Sequence, residues 1–109
     1  MWKFDEYQQQ AFSFWRQLAD AVKDHPAIIG YNPLNEPHPE RSFGYEQPDA
    51  SFRKWVRKIK GTPADLNRFN QKMVEAIREV DSTTPIILDG YFYASPKGLP
   101  YMNKNIRRE

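Results

Sequence analysis

Cysteine is missing from this chain of 109 residues, which removes both a disulfide framework and any thiolate metal site. The absence does not fix the compartment, because many secreted enzymes carry no disulfides. The two histidines, His25 and His38, stand far apart and lack a paired-ligand spacing, so no metal site is expected. There is no Gly-rich phosphate loop, no Ser–His–Asp arrangement can be argued, and no cofactor is expected. Neither sign of charge is in excess: 16 basic and 14 acidic residues leave +2. Such a balance predicts no general attraction to nucleic acid or to a membrane surface. No apolar run approaches the length of a transmembrane helix. The opening residues Met1-Trp2-Lys3-Phe4-Asp5-Glu6 also lack the apolar region of a signal peptide. Either the protein is not exported or a leader has been lost upstream, and its localisation is left open.

What is present is one modest domain's worth of chain, with 39% apolar residues and a heavy 15% of aromatics. Such a share of rings suits a carbohydrate-binding surface or a core built from large side chains. Core packing accounts for most of them, because rings bury large apolar areas. Between about residues 5 and 24, Phe12, Trp15, Leu18, Ala19 and Val22 recur at helical spacing, with Ala11 and Phe14 widening the stripe. Asp5 or a neighbour is positioned to cap this helix, and His25-Pro26 closes it.

Residues 27–31 form a short, isoleucine-rich apolar run, the pattern of a strand buried on both faces as in parallel sheets. A long polar stretch from His38 to about Ala50 reads as a surface loop. Within residues 51–60, Phe52, Trp55, Val56 and Ile59 make one face of a short helix. Arg53, Lys54, Arg57, Lys58 and Lys60 cover the rest. Five cations interleaved with Trp55 could form an anion or nucleic-acid patch, but the near-neutral chain favours a solvated helix face. Thr62-Pro63-Ala64-Asp65 predicts a helix start, with Thr62 as N-cap and Pro63 at the first position. Leu66, Phe69, Met73, Ile77 and Val80 mark its buried face. Asp81-Ser82-Thr83-Thr84-Pro85 breaks it, and residues 85–89 give a second apolar strand. The remainder, residues 90–109, is read as loop carrying Tyr91, Phe92, Tyr93 and Tyr101. A helical crossover between two apolar strands implies a parallel, right-handed α/β unit.

The first apolar run, Ala27-Ile28-Ile29-Gly30-Tyr31-Asn32-Pro33-Leu34, ends in Asn35-Glu36-Pro37-His38. A carboxylate is thereby placed where a strand gives way to a loop, beside an amide able to hold a sugar hydroxyl. Taken alone, Asn-Glu-Pro is ordinary turn chemistry. The preceding helix and the second strand tip the reading toward function. Residues 25–38 resemble the fourth-strand signature of glycoside hydrolase family 5, the cellulase and endoglycosidase family. Residues 12–24 resemble that family's third helix, and residues 69–81 with Pro85-Ile86-Ile87-Leu88-Asp89-Gly90 resemble its fourth helix and fifth strand. Pro33 departs from the pattern, where a small or aliphatic residue is usual.

The resemblance implies that the whole of residues 1–109 is a segment of a (β/α)8 TIM barrel, running from helix 3 through strand 4 and helix 4 to strand 5. A full barrel uses roughly 250 residues. Residues 38–61 would be a long strand-to-helix loop carrying the short basic helix. The implied parent reaction is retaining, cofactor-free hydrolysis of a β-linked glycoside in an oligosaccharide, polysaccharide or glycolipid, by an enzyme often secreted. Glu36 resembles its general acid/base and Asn35 the amide that binds the sugar 2-hydroxyl. A proton donor here needs a raised pKa, from partial burial and a like-charged neighbour.

His38 reads equally as a cleft residue and as plain surface. Tyr91 and Tyr93, which follow the second strand, are candidate sugar-stacking rings, although packing under the next loop is a competing role for either. Asp89 could be a second carboxylate, since neighbouring strands lie about 4.8 Å apart. The resemblance instead places the nucleophilic glutamate on the seventh strand, which has no equivalent here. The isolated chain is therefore expected to be inert, marginally stable, or dependent on association through exposed strand edges. A non-catalytic carbohydrate-binding or scaffolding fragment using Trp55 and residues 91–93 is the alternative.

Overall fold

The computed structural model describes residues 1–106. The last three residues of the expected tail lie outside them. Helix α1 spans Asp5–Val22 and buries Gln8, Phe12 and Ala19. Its N-cap position is held by Phe4, with extended backbone and no side-chain cap, while Asp5 and Glu6 supply negative charge to the first turn. Phe14, expected on the buried stripe, points outward and is largely exposed. Helix α2 spans Ala50–Lys58, and the Asp49 side chain caps it by accepting the Phe52 N–H at 3.0 Å.

Helix α3 spans Leu66–Arg78, three positions later than the Thr62 cap predicts. Asp65 is the cap, its carboxylate accepting the Asn67 N–H at 3.0 Å. Thr62 closes the element before it, donating its hydroxyl to the Ile59 carbonyl at 2.6 Å. A carboxylate outcompetes a hydroxyl for the helix N–H groups because its hydrogen bonds are charge-assisted. Helices α1 and α3 pack together: Phe12 meets Phe69 at 5.2 Å between centroids, and Gln8 Nε2 reaches the Pro63 carbonyl at 2.6 Å. The apolar face of α2 joins this core through Phe52 and Trp55, around which Phe43, Tyr45, Phe92 and Tyr101 gather.

The two expected strands shrink to a single parallel bridge between Tyr31 and Ile86, and the described residues are mostly helical. The Tyr31 N–H donates to the Pro85 carbonyl at 2.9 Å, and the Ile87 N–H to the Tyr31 carbonyl at 2.7 Å. Both flanking rungs are blocked by proline. Continuing the ladder forward needs an N–H at Pro33, and continuing it backward needs one at Pro85; neither residue has one. The Asn32 side-chain amide takes the vacant acceptor, donating to the Ile87 carbonyl at 3.0 Å. Pro33, where the chain departs from the resembled pattern, is thus what stops the ladder. Some apolar side chains along these runs stay uncovered, with Ile29 89% and Ile87 58% exposed. The parallel order is kept all the same, and it brings the ends of both runs, residues 35–38 and 89–93, together.

Below the bridge, Tyr31 and Asp81 tie the first run to the end of α3. The Tyr31 hydroxyl donates to Asp81 Oδ2 at 2.7 Å. Asp81 Oδ1 accepts the N–H groups of Thr83 and Thr84, each at 3.1 Å. Burial works against the charge on Asp81. Hydrogen bonds from the Thr84 and Tyr31 side chains and from these N–H groups outweigh it and hold the carboxyl well below its usual range.

Candidate active site

The loop after the first run turns sharply at Glu36, whose φ of 49° lies in the left-handed region. Non-glycine residues adopt that region at a cost of roughly 1–2 kcal/mol. The turn is held by Asp89 at the end of the second run, whose Oδ2 accepts the Glu36 N–H at 3.1 Å. The Glu36 side chain is left exposed, as is that of Asn35. The partial burial expected of a proton donor is therefore not supplied by the described residues.

Two further hydrogen bonds fasten the loops. The Tyr93 N–H donates to the Pro37 carbonyl at 3.1 Å, and the Phe92 N–H donates to Glu40 Oε1 at 3.0 Å. Between them, Phe92, Tyr93 and Ala94 all carry positive φ, from 56° to 62°. Three successive left-handed residues cost several kcal/mol in sum, so the clamp must hold them. Its product is a ring pair on one face: His38 and Tyr93 lie 4.3 Å apart with their planes 35° from parallel. The Arg41 guanidinium sits 5.9 Å from the Tyr93 ring centre.

Glu36, His38, Tyr93 and Asp89 are thus brought together. Tyr91 is not. It is fully buried, and its hydroxyl accepts the Leu66 N–H at 3.2 Å at the start of α3. Burial pushes its phenol well above the usual range. A ring following a strand can turn either way, and the left-handed run sends Tyr91 into the core and Tyr93 out. Trp55 is likewise buried, which withdraws both rings from any sugar-stacking surface.

The family of cellulases, glycosyl hydrolase family 5, matches residues 3–106. This chain belongs to it. Its structure superposes on an endoglucanase of Pseudomonas stutzeri with a TM-score of 0.59 and 29% sequence identity, over 94% of this chain and 25% of that one. A β-xylosidase of Phanerodontia chrysosporium is 42% identical over 36 residues, which are 33% of this chain and 8% of that protein. The family 5 chain therefore spans about a quarter of the endoglucanase and a much smaller part of the xylosidase.

One residue beside these loops carries no signal in the motif. Glu40 falls in the stretch that reads as a surface loop, but it is fully buried near the start of a 3-10 helix, Pro39–Phe43. A proline opening a turn, followed by an acid in the first turn, is the signal that finds such an element. The loss of hydration raises the Glu40 carboxyl above its ordinary range, against the lowering effect of the Phe92 N–H and of the His38 and Arg41 charges. Its second oxygen is buried without a partner, which suits a carboxylic acid better than a carboxylate.

Proposed function

We propose that this chain is the acid/base part of a retaining β-glycosidase site carried on a segment of a (β/α)8 barrel. The observation that carries the reading is Glu36. An exposed carboxylate stands in a strained left-handed turn at the end of a parallel pair, where barrel enzymes place their catalytic groups. In this reading Glu36 protonates the departing glycosidic oxygen and then activates water. Asn35 holds the sugar 2-hydroxyl, and the Tyr93–His38 face receives a sugar ring. Asp89 is a positioning residue, spending its carboxylate on the Glu36 N–H, and the nucleophile comes from outside the chain.

The substrate class is a β-linked glycoside. The chain alone is expected to be inert toward soluble β-glucans and aryl β-glycosides. Hydrolysis by the purified chain that disappears in Glu36→Gln would overturn that inertness. Joined to the remaining strands of a family 5 barrel bearing a nucleophilic carboxylate, the segment is expected to support cleavage. There, Glu36→Gln should cost at least 10²-fold on substrates with poor leaving groups and far less on activated ones, which need no proton. Equal losses on both would refute the acid/base role.

A further inference from the structure

Two of the five cations on α2 and its exit, Arg57 and Lys60, border a cavity. The C-terminal end of α2, the start of α3 and the segment around Tyr101 line this half-open cavity of about 470 Å³, separate from the Glu36 loops. Arg57 and Lys60 from α2 and its exit meet Arg68 of α3 there, while Val56 and Tyr101 supply apolar wall. Only one acid, Asp65, lines it, and that carboxylate is already spent. Its two oxygens accept the Asn67 N–H at 3.0 Å and the Gly61 N–H at 2.9 Å. Arg68 is engaged as well, pairing with Asp5 at 2.8 Å and reaching Gln8 Oε1 at 3.4 Å. Among the described residues no carboxylate lies within ion-pair distance of Arg57 or Lys60.

We propose that this cavity binds a carboxylate-bearing sugar, a uronate unit of a glycan chain, with Arg57 and Lys60 holding the carboxylate and Tyr101 and Val56 packing against the ring. The volume falls within the range of roughly 300–1,000 Å³ typical of small-molecule sites and is far too large for a bare inorganic anion. A guanidinium offers a carboxylate two parallel hydrogen bonds, and an ammonium adds a point charge. The choice of a glycan over another organic acid rests on the glycosidase reading. The charge argument does not. A polyanion such as nucleic acid is disfavoured by the near-neutral charge of the chain, +2.

The test is a titration of the purified chain, followed by backbone and side-chain NMR shifts. Its arms are a glucuronic-acid-substituted xylo-oligosaccharide, the unsubstituted oligosaccharide, sodium phosphate and a single-stranded oligonucleotide. The acidic sugar is expected to move Tyr101, Arg57 and Lys60, with the neutral sugar at least tenfold weaker there. Arg57→Ala and Lys60→Ala, both at exposed positions, are each expected to weaken binding about tenfold. Lys58→Ala, on the same helix but outside the cavity, should leave it unchanged. Equal binding of the neutral sugar overturns the proposal, as does phosphate or the oligonucleotide binding as tightly as the acidic sugar. So does indifference to Arg57→Ala and Lys60→Ala. Shifts confined to Glu36, His38 and Tyr93 would also overturn it while leaving the glycosidase reading standing.

Discussion

Replacing Glu40 separates what its acceptor oxygen does from what its ionisation does. Glu40→Gln keeps a carbonyl oxygen for the Phe92 N–H, now 3.0 Å from Oε1, in a side chain of nearly the same volume. Glu40→Ala removes that acceptor and leaves a buried N–H unpaired, a loss of about 1–3 kcal/mol. For a domain of this size each kcal/mol lowers the melting temperature by about 4–8 °C. Glu40→Ala should also release the three left-handed residues that the clamp holds, so the His38–Tyr93 ring pair should separate.

The pH dependence of the Gln variant follows from the raised carboxyl. In the unfolded chain Glu40 titrates near its ordinary 4.5, and in the folded chain burial makes it release its proton later. Wild-type stability from this group is therefore fully present below about 4.5 and is lost as pH rises through the higher, folded value. Each unit of difference amounts to about 1.4 kcal/mol at a pH above both values. Glu40→Gln has no such loss. Urea unfolding followed by tryptophan fluorescence at pH 4 to 8 should show Glu40→Gln gaining on wild type with rising pH. A gap that stays constant, or that favours wild type increasingly at high pH, would refute the argument that burial governs this carboxyl.

Other perturbations test other parts of the fold. Tyr31→Phe deletes the hydroxyl that donates to Asp81 at 2.7 Å and should cost about 1.5–3 kcal/mol, as hydrogen bonds to charged groups do. Because Asp81 is held below its ordinary 3.8, the stability it contributes is present above that pH and is lost as pH falls through the lower, folded value. The Tyr31→Phe penalty, read from urea midpoints, should therefore shrink at low pH. Gly98→Ala would drive a Cβ into the Tyr91 carbonyl oxygen, and unfolding measurements should show a loss of about 1–3 kcal/mol. Glu36→Asn places a residue tolerant of positive φ at the strained turn. It should raise stability by up to about 1 kcal/mol while cutting cleavage of substrates with poor leaving groups by the assembled barrel at least 10²-fold, and a destabilised variant would contradict the strain.

What could be read in the sequence, and what could not, divides along the range of the interactions. Helices α1, α2 and α3 were legible because each carries its own period, although the cap of α3 moved from Thr62 to Asp65 and α1 starts after Phe4 without a side-chain cap. The two strands were legible as apolar runs, but a run does not make a ladder. Pro33 and Pro85 fall where the rungs above and below the bridge need N–H donors, a conflict visible only once the register Tyr31 to Ile86 is known. The same holds at the candidate site. Asn35, Glu36 and His38 announce themselves by a contiguous pattern, whereas Glu40 and Asp89 matter through partners 52 and 53 residues away. Nor could the sequence tell Tyr91 from Tyr93. Two residues apart in a strand they would share a face, yet the left-handed run that begins at Phe92 sends one ring to the core and the other to the surface. That run is held by the Glu40 carboxyl on Phe92 together with the Pro37 carbonyl on Tyr93. The orientation of the outer ring beside Glu36 thus depends on Pro37, within the motif, and equally on Glu40, which has no place in it.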